Sequence, residues 1–306
     1  MTPTIEIRGV CKQYDEFVAV DNLSIAIQSG AVYGLLGPNG AGKTSSIRMM
    51  IGITVPDSGE VRMFGEPFRR EQLDRVGYLP EERGLYKKMK VTDLLVFFAQ
   101  LKGVSETDAR ARSAKWLERL DLSEWAQKKV EDLSKGMQQK VQFVVAVLHE
   151  PDLLIMDEPF SGLDPANALE LKNVLLEQKK AGRTILFSTH RMDQVEMLCD
   201  DICLINHGRS VLQGNLSQIK AGYGKRSIQI QYEGVLPFLD DKALIESHNN
   251  YGNYVEAKMA PATDSQHLLE LALKSARINR FELVEPSLEQ IFIATVDATK
   301  PEVNHA

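Results

Sequence analysis

The stretch Gly37-Pro38-Asn39-Gly40-Ala41-Gly42-Lys43-Thr44 restricts what this chain can become more than any other. It follows an apolar run, Ala31 to Leu36, that predicts a buried strand, and it precedes Ser45 to Ile51, which predicts the start of a helix. A glycine-rich turn at such a junction presents backbone N–H groups at the positive end of a helix dipole. Its glycines let the main chain curl around a phosphate chain without a Cβ in the way. Lys43 would then reach the β- and γ-phosphates, and the Thr44 hydroxyl would bind Mg²⁺.

The totals set the frame. With 306 residues there is room for one large domain or two, and 43% hydrophobic with 25% charged residues is an ordinary globular balance. A net charge of −6 gives no overall electrostatic footprint for nucleic acid, so none is expected as a partner. The three cysteines, Cys11, Cys199 and Cys203, are sparse and odd in number, which suggests free thiols in a reducing compartment. Met1 to Ile5 lacks the basic start and apolar stretch of a signal peptide. No apolar run approaches the roughly 20 residues needed to span a bilayer, so work at a membrane would require another chain to cross it.

Ile5 to Val10 alternates as a strand, and Phe17 to Val20, Leu23 to Ile27, Val61 to Phe64 and Val76 to Leu79 also read as strands. Val55 to Glu60 reads as a turn. Tyr14 is expected in a polar loop just after the first strand, either as a ring for adenine to stack against or as a rim aromatic. Between about 85 and 132, Leu94, Phe97, Phe98, Leu101, Leu117 and Leu120 recur at helical spacing and predict a helical insert. Ser134 is a natural N-cap for a helix whose buried stripe is expected at Met137, Val141, Val144, Val145 and Leu148. Leu153 to Met156 is an apolar strand running into Asp157 and Glu158, of the kind buried on both faces in a parallel sheet. Another strand, Thr184 to Ser188, ends at Thr189-His190, and Ile202 to Leu212 reads as a hairpin. The pattern restarts near Gly222 to Lys225, giving a small α+β appendage.

Hydrolysis of a nucleoside triphosphate needs a phosphate cradle, a metal, a water-orienting base and charge stabilisation at the γ-phosphate. Residues 37 to 44 form the cradle. Thr44 and Asp157 would hold Mg²⁺, and Glu158, one residue further on, would polarise the attacking water. His190 also ends a strand, where open α/β sheets bind ligands, and would bond the γ-phosphate.

The cradle and the acid pair by themselves indicate a P-loop NTPase. Leu133-Ser134-Lys135-Gly136-Met137 ahead of Leu154 to Glu158, then Ser161 to Asp164 and His190, narrows this. In that order these motifs resemble the ATP-binding subunit of an ABC transporter over about residues 4 to 218. Glu285 to Phe292 resembles the extension found on the sodium- or drug-efflux branch. The resemblance implies an ABC ATPase core (1–220) with a β-rich N-terminal subdomain and helical insert, and a small α+β accessory domain (221–306). It implies that ATP and Mg²⁺ bind, that Gly37 to Ser45 hold the phosphates, and that Tyr14 stacks on adenine. Ser134 and Gly136 would contact ATP held by the opposite subunit of a homodimer, and Asp164 would link the two sites. Transmembrane permease subunits would dock on the insert near Phe97 and Phe98, holding the chain at the cytoplasmic face of the cell membrane. The activity implied is ATP hydrolysis coupled to transport, with export favoured by the tail.

The chain departs from the family pattern at three places. Glu81 stands where Gln is usual, so it either binds the metal more tightly or moves aside for water. Lys135 replaces a Gly and is expected to point to solvent, and Met137 replaces a Gln. A soluble ABC-type ATPase, or a regulatory module that binds ATP without turnover, is the alternative reading.

Overall fold

A computed structural model describes residues 2–82, 84–223, 227–261 and 263–299. The chain divides into two compact units, Met1–Gly214 and Asn215–Ala306. In the first, β1 (Ile5–Tyr14) and β2 (Phe17–Ile27) precede β3 (Val32–Leu36) and α1 (Lys43–Met50). Then come β4 (Ser58–Met63), β5 (Glu66–Pro67), β6 (Val76–Leu79), α2 (Val91–Leu101), α3 (Glu106–Arg119) and α4 (Lys135–Val147). β7 (Leu153–Asp157), α5 (Pro165–Lys180), β8 (Thr184–Thr189), α6 (Met192–Leu198), β9 (Asp201–Asn206) and β10 (Arg209–Asn215) complete it.

Among the described residues these strands form two sheets, ordered β2-β1-β4-β5 and β10-β9-β3-β8-β7-β6. The first is antiparallel, and β1 and β2 alternate between buried and exposed positions. In the second, β9, β3, β8, β7 and β6 pair in parallel. All residues of β3, β7 and β8 are buried, because helices and the first sheet cover both faces. Helix α1 lies against both sheets. Its Ile47, Met49 and Met50 share one core with Ile7, Leu23 and Ile25 of the antiparallel sheet and with Leu35, Ile155 and Leu186 of the parallel one. Each such side chain contributes about 1.5–3 kcal/mol by leaving water.

The parallel register decides where the chemistry falls. Leu36 stands beside Thr189, Asp157 beside Ser188, and Leu79 beside Met156. The chain segments that leave β3, β6, β7 and β8 therefore emerge side by side at one sheet edge, which is where open α/β sheets bind ligands.

In the second unit, α7 (Leu216–Tyr223) is followed by β11 (Ser227–Gly234), β12 (Ile245–Asn250), β13 (Tyr254–Met259), α8 (Ser265–Ser275), β14 (Ala276–Val284) and α9 (Leu288–Thr299). The strands run β12-β13-β11-β14, and Leu268 and Ala272 of α8 share a core with Ile228, Ile230 and Tyr232 of β11.

Several local expectations are corrected. Tyr14 ends β1, paired with Phe17, rather than lying in a loop beyond it. Phe17 to Ile27 is one bulged strand instead of two. The turn read at Val55 to Glu60 stops sooner, since β4 begins at Ser58 through pairing with Cys11. The units divide at Gly214/Asn215, within about ten residues of the expected boundary; α7 packs with α9, and Tyr223 hydrogen-bonds Thr295. Gly224 and Lys225, part of the expected boundary, lie outside the described residues. β12 was not expected, since Ile-Glu-Ser-His-Asn-Asn carries almost no apolar alternation and only Ile245 is fully buried.

Candidate active site

Main-chain crowding shapes the turn after β3. Gly37 has φ 151° and a Cβ there would lie 2.2 Å from the Ile205 carbonyl oxygen; Gly42 has φ 107° and its Cβ would lie 2.3 Å from the Ala19 carbonyl oxygen. No other residue fits either place. The tip of the β9–β10 hairpin supports the turn from beneath, with Gly208 N–H donating to the Ala41 carbonyl at 2.9 Å. Gly40, at φ 79°, would meet nothing within 4 Å, which leaves that side of the turn open. Lys43 is buried and donates to the carbonyls of Gly37 (2.8 Å) and Pro38 (3.2 Å). The first turn of α1 carries no acidic residue, so its positive end is uncompensated within the helix.

Two neighbouring strands position the acids. Asp157 is fully buried; one carboxylate oxygen accepts from the Ser188 hydroxyl, and the other has no hydrogen-bond partner among the described residues. The Glu158 N–H donates to the Ser188 carbonyl (3.2 Å) and hydroxyl (3.1 Å). Glu158 takes φ 50°, a left-handed conformation that is rare outside glycine. That bend, just past the end of β7, lets Asp157 and Glu158 both face the turn. Glu158 Oε1 stands 3.7 Å from Lys43 Nζ and 2.9 Å from His190 Nδ1.

A cavity of about 360 Å³ collects most of the predicted residues: Tyr14, Asn39, Gly40, Ala41, Gly42, Lys43, Thr44, Ser45, Glu81, Asp157 and Glu158. Gly37 and Pro38 stand behind its wall, tied to Lys43, and His190 reaches it through Glu158. Phe17 and Ala19 also line it, and sequence reasoning missed them. Phe17 was recoverable, because a two-residue turn after Tyr14 must bring the next aromatic alongside. Ser188 was missed too, since a serine inside an apolar strand carries no signal of what the neighbouring strand presents.

Ser134, Gly136 and Asp164 do not line this cavity. Ser134 caps α4, accepting from Met137 N–H at 3.3 Å. Asp164 caps α5, accepting from the N–H of Asn167 at 3.0 Å and from its side-chain amide, and those bonds hold its carboxyl below the usual range. A Cβ on Gly136 would lie 3.5 Å from Asn167 Nδ2, so the starts of α4 and α5 adjoin. Lys135 is exposed.

The buried stripe of α4 differs from the expected one. Val141, Val144 and Leu148 are buried, but Met137 and Val145 only partly, and the helix instead buries Gln139 and Gln142.

Asp157's unpartnered buried oxygen is an anionic ligand without another role, and oxygen ligands suit a hard divalent cation, so the residues fit Mg²⁺. Among the described residues, no three His, Cys, Asp or Glu side chains converge as a ready-made cage. Burial keeps Cys199 and Cys203 as thiols, with Cys203 pushed up to about 11.

Comparison with known proteins agrees with this geometry. Residues 20–161 match the family described as ABC transporter, and residues 214–296 match the family described as ATP-binding protein DrrA1-3-like, C-terminal domain. The chain is 44% identical to the uncharacterized ABC transporter ATP-binding protein YhaQ of Bacillus subtilis (strain 168), over 96% of this chain and 99% of the relative. It is 40% identical to the Nod factor export ATP-binding protein I of Cupriavidus metallidurans, over 70% of this chain and 72% of that protein. A solved ATP binding subunit of an ABC transporter superposes with TM-score 0.67 at 31% identity, covering 72% of this chain and 93% of that one. CbiO1 of Clostridium perfringens, part of the ABC transporter complex cbiONQ, does so at 0.64 and 28%, covering 72% and 92%. This chain belongs to the ATP-binding subunits of ABC transporters and is an ATPase of that family.

Proposed function

We propose that this subunit hydrolyses Mg²⁺-ATP to power export through separate transmembrane permease subunits, at the cytoplasmic face of the membrane. The observation that carries the reading is the convergence of Lys43 and Glu158, 3.7 Å apart, on the wall of one cavity beneath an open glycine turn. Residues 37 to 45 and Lys43 bind the phosphates, and the Tyr14 ring with Phe17 offers a face to the base. Thr44 and Asp157 would hold Mg²⁺, with Glu81 at the cavity wall as a further oxygen ligand; the ion would offset phosphate negative charge during transfer. Glu158 accepts the proton of the attacking water, and His190 keeps its carboxylate aimed.

Placement of Ser134, Gly136 and Asp164 away from their own chain's cavity supports a homodimer in which each copy completes the other's site. An exposed helix start with a serine cap suits a phosphate of that second nucleotide. Among the described residues no helix is long and apolar enough to cross a membrane, which supports separate permease subunits. Export rests on the naming of the Nod factor export relatives. Phosphate release from Mg²⁺-ATP by the full chain, followed by affinity purification with solubilised membranes, tests the reading. Turnover and a co-purifying multi-span protein are expected. Release that persists unchanged in Glu158→Gln would remove the catalytic assignment, and purification without a membrane partner would remove the transport one.

A further inference from the structure

Gln139 and Gln142 are 3% and 4% exposed and lie one helical turn apart on the same face of α4. Two glutamines at core positions of a helix otherwise packed through valine and phenylalanine need a reason. Gln142 Nε2 donates to the carbonyls of Pro80 and Glu82, both at 3.2 Å. Those two carbonyls bracket Glu81, the residue that faces the cavity. Gln139 Nε2 donates at 3.2 Å to the carbonyl of Pro159, the residue after Glu158. The Gln142 amide oxygen is buried and has no partner among the described residues. Turning the amide over would set that oxygen against two carbonyl oxygens, so the orientation is fixed by the loop. The side chain thus keeps an unsatisfied acceptor, which costs stability, in order to supply two donors to one short segment.

We infer that Gln142 is a positioning residue: it ties the main chain on both sides of Glu81 to α4, so that Glu81 faces the metal and follows that helix. Gln139 does the same for the chain just past Glu158. Because α4 begins at Ser134, one rigid element then joins the face offered to a second copy with the acid-bearing loops of its own site. This rests on the reading of Glu81 as a metal-facing group. An isosteric apolar residue would fill the same volume and spare the stranded oxygen, but it would release both carbonyls.

The test uses the full chain in a Glu158→Gln background, so that ATP binds without turnover. Calorimetric ATP binding is followed across Mg²⁺ concentrations, with amide hydrogen exchange of residues 79–82, for Gln142→Met, Glu81→Ala and both together. Gln142→Met is expected to quicken exchange in that segment and to raise the Mg²⁺ concentration for half-maximal binding about 10-fold, the usual effect of losing support behind a metal ligand. Glu81→Ala should shift the Mg²⁺ midpoint similarly, and the double variant should add nothing further. Unchanged exchange with Gln142→Met overturns the positioning role whatever Glu81 does. A midpoint shift that adds in the double variant overturns the route through Glu81. No shift with Glu81→Ala, alongside faster exchange with Gln142→Met, instead removes the metal role of Glu81 and leaves the tether. Gln142→Leu, which also removes both donors without adding a charge, replaces the methionine variant if that chain does not fold.

Discussion

His190 Nδ1 lies 2.9 Å from Glu158 Oε1, and the same oxygen stands 3.7 Å from Lys43 Nζ. The carboxylate is almost buried while the imidazole is half exposed, so His190 lies on the solvent side of the acid. An acid held between a cation and a ring keeps one orientation, and that orientation is what a water-activating base needs.

If His190 acts through Glu158, their losses will not add. Glu158→Gln is expected to lower single-turnover phosphate release by about 100-fold or more while ATP still binds. His190→Ala should give a smaller loss, and the double variant should match Glu158→Gln alone. Multiplying losses in rapid-quench measurements would show that His190 works by another route.

The two kinds of glycine in the phosphate turn should separate folding from binding. Gly42→Ala places a Cβ 2.3 Å from the Ala19 carbonyl oxygen, so a loss of at least about 2 kcal/mol in urea unfolding is expected. Gly40→Ala meets nothing within 4 Å and should cost only the left-handed strain of about 1 kcal/mol, yet weaken ATP because the methyl group occupies the open side of the turn. Equal effects of the two variants on stability would contradict the packing described.

Tyr14 and Phe17 should act on the base and not on the phosphates. Removing an aromatic face that stacks on a base costs about 1–3 kcal/mol, so Tyr14→Ala is expected to weaken ATP about 10-fold or more. Binding of inorganic triphosphate should hardly change. A similar loss for both ligands, measured by calorimetry, would place Tyr14 elsewhere in the mechanism.

His149 supplies a pH-dependent element of stability away from the site. Its Nε2–H donates to the Val76 carbonyl at 3.1 Å, and Nδ1 is buried without a partner among the described residues. Burial, reinforced by the charge of Lys102, pushes its pKa from 6.5 down to about 4. The unfolded chain therefore binds a proton that the folded chain refuses between those values, and stability falls as pH drops through that window. At pH 5 the loss is at most about 2 kcal/mol, less after solvent screening. His149→Gln should flatten that part of the pH profile in thermal melts, and an unaltered slope would mean that other groups set it.

Much of this protein was legible in residue order alone, because its main signals are local. The glycine spacing of 37 to 42, the apolar runs Leu153 to Met156 and Thr184 to Phe187, and the acids that end the first of them each describe a short stretch of chain. An all-apolar strand followed by a glycine turn and a helix has few other ways to satisfy its backbone and bury its side chains. Only the tertiary structure decided what depends on residues far apart in sequence. It set Ser188 against Asp157, curled Glu158 to φ 50° between Lys43 and His190, and buried Gln139 and Gln142 under the loops they hold. Helical periodicity could not reveal those two glutamines, since it sorts residues by polarity, and theirs is matched by carbonyls of the loops that follow β6 and β7. Hydrogen bonds across a parallel sheet and its neighbouring helix are made by pairing and register, and no single stretch of chain contains that information.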